Sequence, residues 1–80
     1  MKIGVRVLPR AEVLDSQGRA VEQTLKSHGR PVESCRVGKF VVLDIDTASK
    51  EEALSKAKEI TEFVLYNPLI ETFELEVLPG

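Results

Sequence analysis

Eighty residues with a net charge of −2, one cysteine and one histidine leave room for a single domain with a small hydrophobic core. Cys35 has no partner for an intrachain disulfide and His28 none for a Cys/His zinc site, so neither kind of staple supplements that core and self-association is the expected supplement. No apolar run of about 18 residues is present to span a bilayer; Met1-Lys2-Ile3 enters a strand pattern rather than a signal peptide, and a lone cysteine fits a reducing, cytoplasmic setting.

Lys2 to Leu8 alternates, with Ile3, Val5 and Val7 on one face and Lys2, Gly4 and Arg6 on the other, which is the pattern of a half-buried strand. Pro9 ends it, because proline has no N–H to donate to a sheet ladder. Asp15 or Ser16 caps a helix running to about His28, with Leu14, Val21 and Leu25 as its apolar stripe. Gly29 supplies a positive-φ stop and Pro31 prevents continuation.

Val32 to Val37 reads as a short extended run, interrupted by Gly38-Lys39 before a second run from Phe40 to Asp46 that places Val41, Leu43 and Ile45 on one face. The pair is either a hairpin or one long strand bent at Gly38, a bend that calls for positive φ there. Ser49 and Glu52 form a capping box. The helix they open carries Ala53, Ala57, Ile60 and Val64 along one stripe, and Glu52 and Lys56 as an i,i+4 pair. Asn67-Pro68 closes it, and Glu71 to Leu78 alternates again with Phe73, Leu75 and Val77 inward.

These elements predict an α+β fold of βαββαβ-like order, with one antiparallel sheet of three to four strands and two helices packed on one face, forming a single domain over residues 1–80. The opposite sheet face then carries Arg6, Leu8, Phe40, Val42, Asp44, Thr72, Glu74, Glu76 and Leu78. A face meant only for water has no need of Phe40, Val42 and Leu78, and a core has no place for the acids; the mixture suits an interface with another subunit. Charge is also unevenly spread. Residues 1–40 hold eight basic and four acidic side chains, and residues 41–80 hold three basic and nine acidic, an asymmetry that complementary partners can use.

No catalytic constellation emerges. His28 falls at a helix C-terminus, where the dipole favours it. Cys35 sits between Ser34 and Arg36 as a small strand hydrophobe, and Asp44 and Asp46 lack the further oxygen ligands that a hard cation needs. The glycines are too dispersed for a phosphate-binding loop. RNA recognition by a βαββαβ sheet uses stacked aromatics on central strands; here the first strand has none, and the acidic last strand repels phosphate. Nucleic acid is therefore excluded.

Three stretches carry a family resemblance: Leu14-Asp15-Ser16-Gln17-Gly18-Arg19-Ala20-Val21, then Arg36-Val37-Gly38-Lys39, then Asn67-Pro68-Leu69-Ile70-Glu71. In this order and spacing they resemble the PurS family, the small subunit of phosphoribosylformylglycinamidine (FGAM) synthase. Ser16 departs from the proline frequent in that family, although both residues suit a helix start. The resemblance implies a non-catalytic accessory subunit of de novo purine biosynthesis. Such a subunit forms a homodimer or higher homo-oligomer and bridges a glutaminase subunit to a large synthetase subunit that uses ATP and magnesium; it binds no cofactor or metal itself. It further suggests that Asp15 caps the first helix, that Gly18 permits close approach at its first turn, and that Asn67 and Pro68 fix a structural turn. Gly38 then provides a bend flanked by Arg36 and Lys39, which join Arg6, Phe40, Val42 and Leu78 as candidate partner contacts. The alternative is an ACT-like module binding a small molecule. Such modules offer a glycine-containing turn after the first strand, whereas here that turn is Pro9-Arg10-Ala11-Glu12-Val13.

Overall fold

The computed structural model describes all of residues 1–80. The chain forms β1 (Lys2–Pro9), α1 (Ser16–Ser27), β2 (Lys39–Asp44), α2 (Lys50–Ile60) continuing into a π turn (Thr61–Leu65), and β3 (Glu71–Val77). The sheet has three strands in the order β2-β1-β3, with β1 antiparallel to both neighbours. Its alternation is the one expected: Ile3, Val5 and Val7 are fully buried, while Lys2, Arg6 and Leu8 are exposed. Ile3 and Ile45 pack with Ala53 and Ala57 of α2, and Met1, Leu43, Leu54, Ile60 and Leu75 surround them. The alanines let α2 lie close on the sheet.

Val32–Val37 forms no strand, and the reason lies in β1. The β1–β2 register pairs Val7 with Lys39, so one more hydrogen-bonded pair would set Pro9 against Val37. Proline has no N–H to give, and the Val37 N–H is instead donated to Asp15 Oδ2 at 2.8 Å. β2 therefore starts at Lys39. Nor does Gly38 adopt positive φ; only Gly29 and Gly80 do. A Cβ at Gly38 would run into the Val7 carbonyl oxygen and Leu8 Cδ2, so close backbone approach, not a left-handed bend, demands glycine.

The packing of the helices also departs from the sequence reading. α2 lies against β1 and β3, but α1 makes no comparable contact with any other element. Topology accounts for this. β2 and β3 run parallel on either side of β1, so α2 must cross the sheet to join them, whereas β1 and β2 are antiparallel neighbours whose connection can leave the sheet altogether. Leu14 and Val21 consequently stay exposed. The molecule measures 48 × 29 × 15 Å with a radius of gyration of 15.6 Å, against about 12 Å for a compact chain of this length.

The end of α2 brings a further correction. Fully buried Thr61 continues the Ala53 and Ala57 stripe at four-residue spacing, and the π turn that starts there rotates the residues after it, leaving Val64 62% exposed. The Thr61 hydroxyl donates to the Ala57 carbonyl at 2.8 Å. At the other end of α2, Ser49 Oγ accepts from the Glu52 N–H, but the return half of the capping box runs through Thr47, whose Oγ1 accepts from the Ser49 N–H and donates to Glu52 Oε2.

Gly38→Val is expected to destabilise the fold by about 1–3 kcal/mol through overpacking against the β1 backbone. Urea denaturation measures it, and a change of only a few tenths would show that β1 and β2 can part locally.

Candidate functional site

The sheet face away from α2 is built from the even-numbered residues of β1 and their partners. Gly4 stands opposite Val42 on one side and Glu76 on the other, and Arg6 stands opposite Phe40 and Glu74. Gly4 is the pivot. A Cβ there would lie 2.5 Å from Phe40 Cζ and 3.2 Å from Leu78 Cδ2, so its absence lets side chains from both outer strands converge over the central one. Arg6 covers the next position along the strand. Its guanidinium lies 5.9 Å from the Phe40 ring centroid, within cation–π range, and its Nη2 donates to Glu76 Oε1 at 2.5 Å.

The result is an apolar platform edged by charge. Phe40 remains 50% and Val42 52% exposed, while Leu78 is half-buried and Asp44, Glu74 and Thr72 lie around them. Of the sequence-predicted contacts, the structure thus brings Arg6, Phe40, Val42 and Leu78 together. Lys39 does not join them, since its register partner Val7 places it on the helix side. Gly38 is at the strand edge, and Arg36 is in the loop beside Asp15. Gly4 was missed as a participant, although a glycine inside an otherwise regular strand signals close approach.

Asp15 organises the base of α1. Its Oδ1 accepts the Gly18 N–H at 2.8 Å and its Oδ2 accepts the Val37 N–H at 2.8 Å, which ties the helix start to the loop ahead of β2. Those two bonds, then Arg36 nearby, hold its carboxyl below the usual aspartate range against a smaller opposing effect of desolvation. Gly18 is buried at this junction, where a Cβ would strike the Cys35 carbonyl oxygen and the Asp15 carboxylate. His28 closes the other end of α1 with Nδ1 2.9 Å from the Thr24 carbonyl oxygen. Glu52 is likewise held low, chiefly by its hydrogen bond and charge pairing with Lys56.

A second bare surface lies between α2 and β3. Phe63 is 84% and Leu69 83% exposed, with Val64 and Ile70 also open. The turn that presents Leu69 is rigid: Asn67 Oδ1 accepts the Leu69 N–H, Glu71 Oε1 accepts the Asn67 N–H, and Arg10 donates from Nε and Nη2 to the Pro68 carbonyl. Asn67 and Pro68 therefore shape the turn. Sequence reasoning missed this patch because it kept Val64 on the α2 stripe. No group of three or more His, Cys, Asp or Glu side chains is placed to hold a metal ion.

The family model for PurS, described as phosphoribosylformylglycinamidine (FGAM) synthase, matches residues 2–79. The chain is 33% identical over 78 residues to phosphoribosylformylglycinamidine synthase subunit PurS of Thermotoga maritima, covering 96% of this chain and 95% of that one. It superposes on Thermus thermophilus PurS with a TM-score of 0.82 at 36% identity, covering 98% and 96% of the two chains. It also matches a chain in the structure of PurLQS from Thermotoga maritima, with a TM-score of 0.88, 33% identity and coverage of 96% and 95%.

The Asp15 carboxylate yields a pH prediction. Because its folded pKa lies below the unfolded value of about 4, its contribution is present in full above that value and lost as pH falls through the folded one. Asp15→Asn should lower the urea midpoint at neutral pH, and the gap from wild type should close progressively in the acid range. A gap independent of pH would mean that the carboxylate charge contributes nothing.

Proposed function

The chain belongs to the PurS family of FGAM synthase, and we propose that it serves as that enzyme's accessory subunit in purine biosynthesis, acting by binding other proteins. The observation that carries this reading is the outer sheet face, where Phe40 and Val42 stay half exposed around Gly4 on a chain that buries only 9 of its 80 residues. Surfaces of this kind gain stability from a partner. The relative in the PurLQS structure supports an assembly of this chain with synthetase and glutaminase subunits. In that assembly ATP and magnesium act on the synthetase subunit, and the accessory chain holds the two enzymes together. The cytoplasm is the proposed setting; no helix is long and apolar enough to cross a membrane.

Self-association through the sheet face follows from this reading. Light scattering at micromolar concentration should give at least twice the chain mass of 8.9 kDa. Phe40→Glu should weaken the assembly well beyond Lys58→Glu on the exposed side of α2, because only the former places a charge inside the proposed contact. Equal effects, or a clean monomer for the wild type, would remove the outer face from the argument.

The bridging role itself is tested by reconstituting the enzyme with glutamine or with ammonium chloride, each with and without this chain. A scaffold raises the effective concentration of one active site near another, so omission should cost glutamine-dependent FGAM formation far more than ammonia-dependent formation. Equal loss of both activities would place the chain in the synthetase site instead.

A further inference from the structure

Three arginines surround one concavity beside the start of α1. Arg10 comes from the turn after β1, Arg19 from the beginning of α1 and Arg36 from the loop ahead of β2, and together they line a cavity of about 410 Å³. None of the three forms an ion pair, whereas Arg6 reaches Glu76 and Lys26 of α1 reaches Glu22. Asp15 is the one acid in the wall. Its two oxygens accept the Gly18 and Val37 N–H groups, so it anchors the wall without bridging to a guanidinium. The same bonds occupy the N-terminus of α1, and the attraction for an anion therefore comes from arginine side chains rather than from helix N–H groups.

The three segments are fixed to one another. The Arg10 N–H donates to the Ile70 carbonyl at 2.8 Å. Its Nε and Nη2 donate to the Pro68 carbonyl at 3.0 and 2.9 Å, which uses two of the five guanidinium N–H groups and leaves the others free. The Arg19 N–H donates to the Asp15 carbonyl at 3.0 Å, and Arg36 directly precedes the Val37 held by the Asp15 carboxylate. One carboxylate thus ties together the bases of two arginines, and the Asn67–Glu71 turn holds the third.

Charge and size narrow the ligand. Three guanidinium groups and one carboxylate leave a surplus of about two positive charges, which a phosphate monoester at about −1.5 to −2 near pH 7 balances and a single carboxylate does not. The planar guanidinium fork also matches phosphate oxygens in pairs. A cavity of about 410 Å³ exceeds what a bare phosphate fills and falls within the range of small-molecule sites, about 300–1,000 Å³. Val13 and Leu14 line it beside the arginines. Leu14 is 68% exposed and gives an organic group an apolar wall to lie against. We propose that this concavity binds a phosphate monoester of a small molecule, with Arg19 and Arg36 on the phosphate, Arg10 at its side, and Val13 and Leu14 against the organic part. The proposal stands or falls independently of the accessory-subunit reading.

Isothermal titration of the full chain at about 0.15 M ionic strength, where exposed charges are screened, tests it with ribose 5-phosphate, AMP, inorganic phosphate, ribose and adenosine. Both esters should bind at one site per chain, at least about threefold tighter than inorganic phosphate because of the apolar wall, and the two phosphate-free compounds should not bind. Arg19 and Arg36 are exposed, so their variants should keep the wild-type circular dichroism. Arg19→Gln and Arg36→Gln should each weaken ester binding about tenfold, the loss expected for a charge-assisted hydrogen bond. Arg36→Lys should weaken it as well, since it keeps the charge and loses the fork, while Lys58→Gln on α2 changes nothing. Esters that bind no tighter than inorganic phosphate, or a Lys58→Gln loss equal to those of the arginine variants, would overturn the proposal. So would an absence of ester binding together with weaker capture of a synthetase or glutaminase subunit by Arg19→Gln, which would give the arginines to an acidic segment of that subunit.

Discussion

Everything in this molecule hangs on β1 being hydrogen-bonded along both sides. A strand so placed has no free edge, and its alternation decides the character of both sheet faces at once. Ile3, Val5 and Val7 must be apolar because α2 and the end of its helix cover them. Gly4 and Arg6 face the other way and have no helix above them, so what stands there is free to be shaped for something else. The missing side chain at Gly4 and the cation at Arg6 are what allow an aromatic ring from one neighbour and a carboxylate from the other to meet over the centre. Slipping the register by a single residue would send Phe40 and Val42 into the core and Val41 and Leu43 into water.

That dependence explains which parts of the fold were legible in the sequence. Period-two patterning gave β1 and β3 and the division of residues between faces, because each face of a strand sees one environment along its whole length. The caps at Asp15 and Ser49 were legible because they are local chemistry, satisfied within three residues. Val32–Val37 misled because its composition suits a strand while its would-be partner is Pro9, a fact about register and not about the segment. Gly38 misled in a related way: glycine serves both left-handed bends and close approach, and only the position of the Val7 carbonyl tells them apart. The stripe of α1 was read correctly as apolar, but an apolar stripe does not say which surface it will meet. Val64 was lost to a π turn, which breaks the 3.6-residue spacing from which the stripe was drawn.

The same features describe a chain that is incomplete as a monomer. One helix on a three-stranded sheet buries few side chains, and a small domain needs either staples or association to offset its conformational entropy. Here the surfaces left over are the apolar platform of the sheet, the stripe of α1 and the exposed Phe63 and Leu69 at the end of α2. They are carried by different elements: the sheet, α1, and the π turn with the segment that follows it. A catalytic domain gathers its special residues in one cleft; a connector has reason to spread its contact surfaces apart, since each has to meet a different body.

The charge distribution takes its meaning from this layout. The basic first half of the sequence forms β1, α1 and the loop after it, and the acidic second half includes α2 and β3. The segment around α1, residues 10–38, carries five basic and four acidic side chains, so the basic surplus of the first half belongs mainly to Lys2, Arg6 and Lys39 in the sheet. On the sheet the halves meet and cancel locally, as Arg6 of β1 does with Glu76 of β3. This leaves the centre of the outer face apolar and sends the remaining charges to its rim, the distribution that lets an interface exclude water at its core while its edges set orientation. Contacts built this way hold neighbouring chains at fixed positions and raise their effective concentration toward one another.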